Sequence, residues 1–236
     1  MGDNNKNYIV AIDGPSAAGK TTVAKLVAKE LGIPYLDTGA MYRALALKIL
    51  EKGVKLPGES INDIDDLFDE EHAAREMSLL ALLESTEIED RDGVIYMDGR
   101  DVSSEIRKPE VTKCASQSSA LPQVRAKLVA IQRACGKKSN IVVDGRDIGS
   151  NVFPDAKYKF FLTASPEVRA QRRFLEMQER GETPAFEKVL EDLNSRDYAD
   201  SNRSINPLII AEGAEVIDTE NQTAEMVVTH IVSKIN

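Results

Sequence analysis

Short apolar runs alternate with segments of helical period along most of the chain. The apolar runs predict strands at residues 8–12, 35–37, 141–143, 158–162 and 214–217. Apolar residues at helical spacing predict helices at residues 19–31, 41–50, 166–180, 186–202 and 223–235, and two further helices that start at Pro109 and Pro122. Strands that alternate with helices in this way predict an α/β fold with a parallel sheet.

The stretch from about residue 53 to residue 104 has a different pattern. It carries an acidic segment, residues 61–71, that we predict to be a helix. Two β-prone runs follow at residues 87–90 and 94–97, and Asp92 and Gly93 between them favour a tight hairpin turn. We therefore expect an inserted subdomain here rather than another part of the parallel sheet.

A glycine-rich loop lies between the first strand and the first helix. Its residues are Gly14, Pro15, Ser16, Ala17, Ala18, Gly19, Lys20, Thr21 and Thr22. The Gly-x4-Gly-Lys-Thr spacing, in a strand-to-helix context, is that of a phosphate-binding P-loop. Glycines let backbone N–H groups curl around phosphate oxygens, and the helix N-terminus adds positive potential.

The P-loop predicts bound ATP and Mg²⁺, with Lys20 at the β- and γ-phosphates and the Thr21 hydroxyl on the metal. A carboxylate is expected in the outer shell of the metal. Asp144 follows the strand at residues 141–143 and is one candidate, and Asp13 at the end of the first strand is the other.

Charge and cysteine content narrow the class of protein. The net charge of −9 argues against broad binding of nucleic acid. No apolar stretch approaches the roughly 20 residues that span a membrane, and residues 1–7 lack the apolar part of a secretory signal. Cys114 and Cys135 fit no zinc pattern, and helical spacing with Val124 and Leu128 places Cys135 in the core. We expect a cytoplasmic protein.

Arginines at strand ends are candidates for a second phosphate. Arg43 and Arg146 each follow a predicted strand of a parallel sheet, whose carboxyl ends are where ligands bind. The guanidinium group suits this task because it can donate two parallel hydrogen bonds. Surface ion pairs are the alternative for each arginine.

Two helices carry further charged residues on one face. The helix at residues 166–180 aligns four arginines, Arg169, Arg172, Arg173 and Arg180. A basic face in an acidic protein suggests a lid over the triphosphate, and the alternative is a solvated face with Glu176 among its partners. On the next helix Arg196, Asp200 and Arg203 share one face, where a structural Arg196–Asp200 pair is the alternative.

Together these motifs resemble the bacterial-type cytidylate kinases, from residue 9 to the last helix. The matching segments are IDGPSAAGK (12–20), LDTGAMYR (36–43), DVSSEIR (101–107), ASQ (115–117), DGRDIG (144–149), VFPD (152–155), Arg172-Arg173, and Arg196-Asp197 with Asp200 and Arg203. The P-loop alone occurs in many unrelated enzymes, whereas DGRDIG and the insert are far more specific.

The resemblance implies a single nucleoside monophosphate kinase domain over residues 1–236. Its P-loop core would contain a five-stranded parallel sheet flanked by helices, from residues 8–38, 105–165 and 190–236. A subdomain that binds the nucleoside monophosphate would cover about residues 39–104, and a short helical lid about residues 166–189.

The resemblance also implies roles for individual residues. The phosphate of CMP or dCMP would contact Arg43, Arg146 and Arg203, and the cytosine would contact Ser103, Arg125 and Asp147. The ribose hydroxyls would contact Arg196 and Asp200, and Thr38 would contact the base or the sugar. Catalytic roles would fall to Lys20, Asp144, Arg169 and Arg173.

The implied reaction is ATP-dependent phosphorylation of CMP and dCMP, by a monomer, in pyrimidine nucleotide metabolism. The attacking phosphate oxygen is already anionic, so positioning and charge neutralisation would suffice. A kinase for another small acceptor is a rival, and Asp37 could activate a hydroxyl there. A nucleotide switch is a second rival, although the sequence has no Asn-Lys-x-Asp guanine motif.

Overall fold

The structure, a computed structural model, describes residues 7–56, 70–91 and 93–235. Most of the acidic segment at residues 61–71 lies outside the described residues, so that the helix expected there stays a prediction. Residues 1–6, for which we expect no secretory signal, and Asp92 of the expected hairpin turn also lie outside them.

The elements follow one another in the order that the sequence pattern predicts, with two additions. In chain order they are β1 (Ile9–Asp13), α1 (Lys20–Leu31), β2 (Tyr35–Asp37), α2 (Thr38–Glu51), α3 (Glu70–Ser85), β3 (Ile88–Arg91), β4 (Val94–Met97), β5 (Arg100–Asp101), α4 (Pro109–Ser118), α5 (Pro122–Gly136), β6 (Ile141–Asp144), β7 (Tyr158–Thr163), α6 (Pro166–Glu179), α7 (Phe186–Asn202), β8 (Glu215–Asp218) and α8 (Ala224–Ile235). A 3₁₀ turn at Glu105–Arg107 precedes α4, and a π-helical turn at Ile148–Val152 follows β6.

The chain divides into two compact units, of which the first holds residues 7–37 and 133–235. Its five strands form a parallel sheet in the order β2-β6-β1-β7-β8, which confirms the predicted α/β core. β1 is the central strand. The chain first passes from β1 to β2 on one side of it, and later crosses from β6 to β7, which lies on the other side. Ligands bind at the carboxyl end of a sheet where its order reverses in this way, and the P-loop follows β1 at that end.

The core of the first unit forms because apolar residues of the strands meet those of two helices. Val10 and Ile12 of β1 are fully buried against Val27 of α1 and Ile231 of α8. Gly32 caps the end of α1, and its φ of 62° lets its N–H return to the carbonyls of Ala28 and Lys29. This packing holds the N-terminus of α1 against the end of β1.

The second unit covers residues 38–132. It contains an antiparallel sheet in the order β3-β4-β5, and the predicted hairpin pairs Arg91 with Val94 and Ile88 with Met97. Asp90 accepts a hydrogen bond of 2.7 Å from the N–H of Gly93 and so stabilises the turn. The proposed limits of the core, the acceptor subdomain and the lid stay a prediction.

Some details differ from the sequence analysis. The helix α3 and the two-residue strand β5 were not predicted, although Leu79, Leu82 and Leu83 have helical spacing and are buried. Cys135 is half-buried rather than a core residue, whereas Cys114 is buried. Among the described residues, no helix is both long and apolar enough to span a membrane.

The turn after β1 makes a first prediction. Gly14 has φ +145°, and a Cβ atom there would lie 2.0 Å from the carbonyl oxygen of Leu162 on β7. Because this backbone cannot yield without breaking the sheet, Gly14→Ala should lower the free energy of unfolding by more than about 3 kcal/mol. Denaturant unfolding of the wild type and the variant measures this loss.

Gly32→Ala is the matched control, because Gly32 also has positive φ but nothing within 4 Å of its Cβ position. That variant should lose only about 1 kcal/mol. Equal losses in the two variants would contradict the steric argument.

Candidate active site

The P-loop adopts a conformation that favours an anion. Gly14, Ala17 and Gly19 have positive φ values of 145°, 57° and 84°. Gly19 occupies the N-cap of α1 and has no side chain to occupy the N–H groups of the first turn. An uncapped helix start after a curled loop is the arrangement that binds phosphate through backbone N–H groups and the helix dipole.

Lys20 is buried in this site, and its ammonium donates a hydrogen bond of 2.5 Å to the carbonyl oxygen of Pro15. Its pKa lies well below 10.5, first because of burial and then because of the positive charge of Arg146. The carboxylate of Asp144 acts in the opposite direction, and Arg196 lowers the pKa further. The structure therefore places Lys20 among both cationic and anionic side chains.

Asp144 is fixed by two hydroxyl groups. Its Oδ2 accepts a hydrogen bond of 2.8 Å from Thr21, and its Oδ1 accepts one of 2.7 Å from Tyr35. Burial, and then the charge of Asp37, raises the pKa of Asp144 to about 6. The hydrogen bond places a buried carboxylate directly beside the P-loop threonine, where a cation would stabilise its ionised form.

Asp13, the other candidate for the metal shell, has a different partner. Its two carboxylate oxygens accept the N–H groups of Ile148 and Gly149 at 2.8 and 2.7 Å. Burial is the main reason that the pKa of Asp13 is raised to about 6. Asp13 thus anchors the turn that follows Asp147, while Asp144 contacts Thr21.

Candidate residues for the acceptor form two ion pairs in the first unit. One pair includes a residue of α7, and the other includes the residue that follows α7. Arg146 donates to Asp200 at 2.9 Å. Burial opposes ionisation of Asp200, but the charges of Arg146 and Arg196 outweigh it and hold the pKa of Asp200 below its usual value. Asp200 thus accepts a hydrogen bond from Arg146, and the structural Arg196–Asp200 pair stays an alternative.

Arg203 makes a second buried pair, with Asp147. Its guanidinium donates to Asp147 Oδ1 at 3.2 Å and to the carbonyl oxygen of Asn206 at 2.5 Å. Asp147 Oδ2 accepts a further hydrogen bond of 2.9 Å from the amide of Asn151. Both side chains of the Arg203–Asp147 pair are less than a tenth exposed.

The arginines of α6 fall into two groups. Arg169 is buried and donates to the carbonyls of Ala164 and Ser16, at 2.9 and 3.1 Å, and Arg172 donates to Thr219 on the first unit's core. Arg173 is half-buried and pairs with Glu176 at 3.3 Å. The structure therefore holds Arg169 at the P-loop, and the lid function of this helix stays a prediction.

The helix start of α6 also corrects a detail. Ser165 occupies the expected N-cap position, but its hydroxyl donates to Glu220 at 2.7 Å instead of capping the helix.

Four candidate residues belong to the second unit. Thr38 is buried at the first position of α2, and Arg43 is half-buried on the same helix. Arg125 of α5 is buried, with its guanidinium 5.9 Å from the ring centre of Tyr42. The hydroxyl of Ser103 accepts a hydrogen bond of 3.1 Å from the N–H of Ile95.

Known proteins of similar sequence show to which family this chain belongs. The family model for cytidylate kinase matches residues 10–236. The chain belongs to the cytidylate kinase family. It is 44% identical to the cytidylate kinase of Clostridioides difficile (strain 630), over 98% of this chain and 99% of that one. It is 45% identical to that of Caldanaerobacter subterraneus subsp. tengcongensis, over 98% and 96%, and 41% identical to that of Caldicellulosiruptor saccharolyticus, over 96% and 95%.

The expected membership in this family of nucleoside monophosphate kinases is thus confirmed. Three polar residues of the candidate site had no role in the sequence analysis: Tyr35, which holds Asp144, Asn151, which holds Asp147, and Asp197. Asp197 was visible as part of the Arg-Asp motif, but its contacts are with Ser16 and Arg169, which are remote in sequence. Only the fold reveals such pairs.

The raised pKa of Asp144 predicts how the stability of the folded protein depends on pH. Between the ordinary pKa of 3.8 and about 6, the folded state binds more protons at Asp144 than the unfolded state, so its stability falls as the pH rises. Asp144→Asn abolishes this dependence. At pH 7.5 the variant should gain about 2 kcal/mol relative to its difference from the wild type at pH 4.

Denaturant unfolding of both proteins at pH 4 and pH 7.5 gives the two differences directly. If the free energy of unfolding of the variant minus that of the wild type stays constant, or becomes less favourable to the variant towards high pH, the pKa of Asp144 is not raised in the folded protein. Asp192→Asn, at an exposed α7 residue paired with Lys188, is the matched control and should show little change.

Proposed function

We propose that this enzyme transfers the γ-phosphoryl group of ATP in line to CMP or dCMP, giving ADP and CDP or dCDP. One observation supports the proposal most strongly: the cytidylate kinase family model matches residues 10–236, which include the P-loop with the buried Lys20 and the paired arginines Arg146 and Arg203. An acidic protein that gathers these cations at a P-loop is suited to binding two phosphate groups side by side. Family membership names the acceptor.

The donor side would be the P-loop. Backbone N–H groups of residues 17–22 would surround the β-phosphate, and Lys20 would contact the β- and γ-phosphates. Without an anion, burial and neighbouring arginines disfavour the charged form of Lys20. Bound triphosphate would reverse that effect, so that the ammonium is fully charged when charge develops on the transferred group.

Mg²⁺ would be held at Thr21, with Asp144 in its outer shell. The residues fit this ion, because Mg²⁺ keeps several waters and needs few protein oxygens besides the phosphates of its nucleotide. The Thr21–Asp144 hydrogen bond brings together one hydroxyl and one buried carboxylate. Asp13 fits less well, because its oxygens are engaged by backbone N–H groups. When bound, Mg²⁺ would offset negative charge on the phosphates.

The acceptor phosphate would be held by Arg146 and Arg203, to which the family resemblance adds Arg43. Its oxygen is anionic near neutral pH and needs no general base, so the arginines would act by placing it in line with the γ-phosphorus. Arg196 and Asp200 would hold the ribose hydroxyls. Asp200 is suited to accept hydrogen bonds from them because neighbouring arginines keep it ionised.

The cytosine would be read by hydrogen bonds, from Ser103, Arg125 and Asp147 by the family resemblance. Cytosine presents an amino group at position 4, where uracil presents a carbonyl oxygen. A carboxylate such as Asp147 accepts from the former and repels the latter. Thr38 would add a contact to the base or the sugar.

Arg169 and Arg173 would compensate charge on the moving phosphoryl group, and a lid at about residues 166–189 would exclude water during transfer. Arg169 would act from a fixed position against Ser16, whereas Arg173 would first exchange its partner Glu176 for phosphate. We further propose that the enzyme acts as a monomer in the cytoplasm without nucleic acid.

A panel of monophosphates tests the reaction. Wild-type enzyme with ATP and Mg²⁺ is offered CMP, dCMP, UMP, AMP and GMP, and ADP release is measured by a coupled assay. The value of kcat/KM for CMP should exceed that for AMP at least about 100-fold, because a site built for polar pairing rejects bases that leave its groups unpaired.

The variant Lys20→Met tests the proposed role of Lys20 in the mechanism. It should lower kcat with CMP at least about 100-fold while the protein stays folded. Near-normal turnover in that variant would contradict the role of Lys20. Absence of CMP-dependent ADP release in the wild type would contradict the proposed function itself.

The assignment of Asp147 makes a separate prediction. Asp147→Asn should lower the ratio of kcat/KM for CMP to that for UMP at least about tenfold, because the amide can donate to the uracil carbonyl. Asn151→Ala removes a partner of Asp147 without changing the carboxylate, and should leave the ratio within about twofold. Equal ratios in wild type and Asp147→Asn would refute base reading by Asp147.

A further inference from the structure

We propose that Asp197 is a positioning residue that, together with Arg169, holds the Ser16 peptide of the P-loop and thereby sets the affinity for the donor nucleotide. The inference rests on the proposed function, in which this loop binds ATP.

The contacts form a closed ring around one residue of the loop. Asp197 Oδ1 accepts the N–H of Ser16 at 3.2 Å, and Asp197 Oδ2 accepts a hydrogen bond from Arg169. Arg169 Nη1 also donates to the carbonyl oxygen of Ser16 at 3.1 Å. The donor and the acceptor of the Ser16 backbone are therefore both bound by one ion pair.

The ion pair is itself well anchored. The Arg169 side chain is 6% exposed and that of Asp197 is 17% exposed, so water competes little for their charge-assisted hydrogen bonds. Arg169 Nε donates to the carbonyl oxygen of Ala164 at 2.9 Å, just before α6. The loop is thus tied to α6 and to α7 at the same point.

The loop needs this support because the next residue is strained. Ala17 has φ +57°, a conformation that residues with a Cβ atom rarely adopt. Such a conformation persists when the surroundings fix the chain on either side of it. The Ser16 contacts supply this on the N-terminal side, and Gly19 and α1 follow on the other side.

The position of Asp197 also links donor and acceptor. On α7 it lies between Arg196 and Asp200, to which we assign the acceptor ribose. Its own carboxylate, however, contacts the donor loop. A change confined to Asp197 should therefore affect the donor nucleotide much more than the acceptor, which a general structural role would not do.

The test is Asp197→Asn, which keeps the volume and one oxygen acceptor but loses the charge that pairs with Arg169. KM for ATP should rise about tenfold, and so should the Kd of MgADP measured by calorimetry, while KM for CMP stays within about threefold. Asp192→Asn, the same substitution at an exposed α7 residue paired with Lys188, is the control and should change none of these values.

A double-mutant cycle tests whether Asp197 acts on nucleotide binding through its ion pair with Arg169. In an Arg169→Met background, Asp197→Asn should raise the Kd of MgADP by no more than about twofold, because its partner is already lost. If Asp197→Asn does not fold, Asp197→Glu, which keeps the charge, replaces it and should give a smaller rise of the same kind.

Unchanged MgADP binding in a folded Asp197 variant, equal rises for ATP and CMP, or full additivity with Arg169→Met would each overturn the proposal. The MgADP measurement is independent of turnover. Failure of the wild type to phosphorylate CMP would refute the proposed function and leave this comparison intact.

Discussion

Ionisable side chains buried beside the carboxyl ends of β1 and β6 are the constraint on which the rest of the first unit depends. Lys20, Asp13 and Asp144 lie where the apolar packing of the sheet ends, and burial disfavours the charged form of each. The fold tolerates them because each carboxylate accepts two hydrogen bonds and because Lys20 contacts a loop carbonyl. Bound phosphate and a cation would complete this balance of charge.

Carboxylates hold the arginines of this unit to which we assign the acceptor phosphate. Arg146 pairs with Asp200 and Arg203 with Asp147. Such pairing limits the conformations that an arginine must give up on binding, which lowers the entropic cost of recognition. It also limits repulsion among the cations themselves. The acceptor site is thus pre-organised by the groups that we assign to the ribose and the base.

The sequence predicted the fold well where local signals are strong. Strand periods, the P-loop spacing and the prolines at helix starts gave the order of the elements, and motif residues gave the family. Contacts between distant residues could not be predicted, because nothing local indicates that Asp197 meets Ser16 or that Asp13 binds the backbone after Asp147. Cys135 was misplaced because helical spacing identifies a face but not how deeply its last turn is buried.

The most direct test of the account is a crystal structure of the enzyme with ADP, Mg²⁺ and CMP. The account predicts the ADP β-phosphate in the P-loop within hydrogen-bond distance of Lys20, and the CMP phosphate bound to Arg146 and Arg203 beside it. A CMP phosphate bound elsewhere, with the Arg146–Asp200 and Arg203–Asp147 pairs unchanged, would contradict the claim that this buried charge cluster is a site for two phosphates.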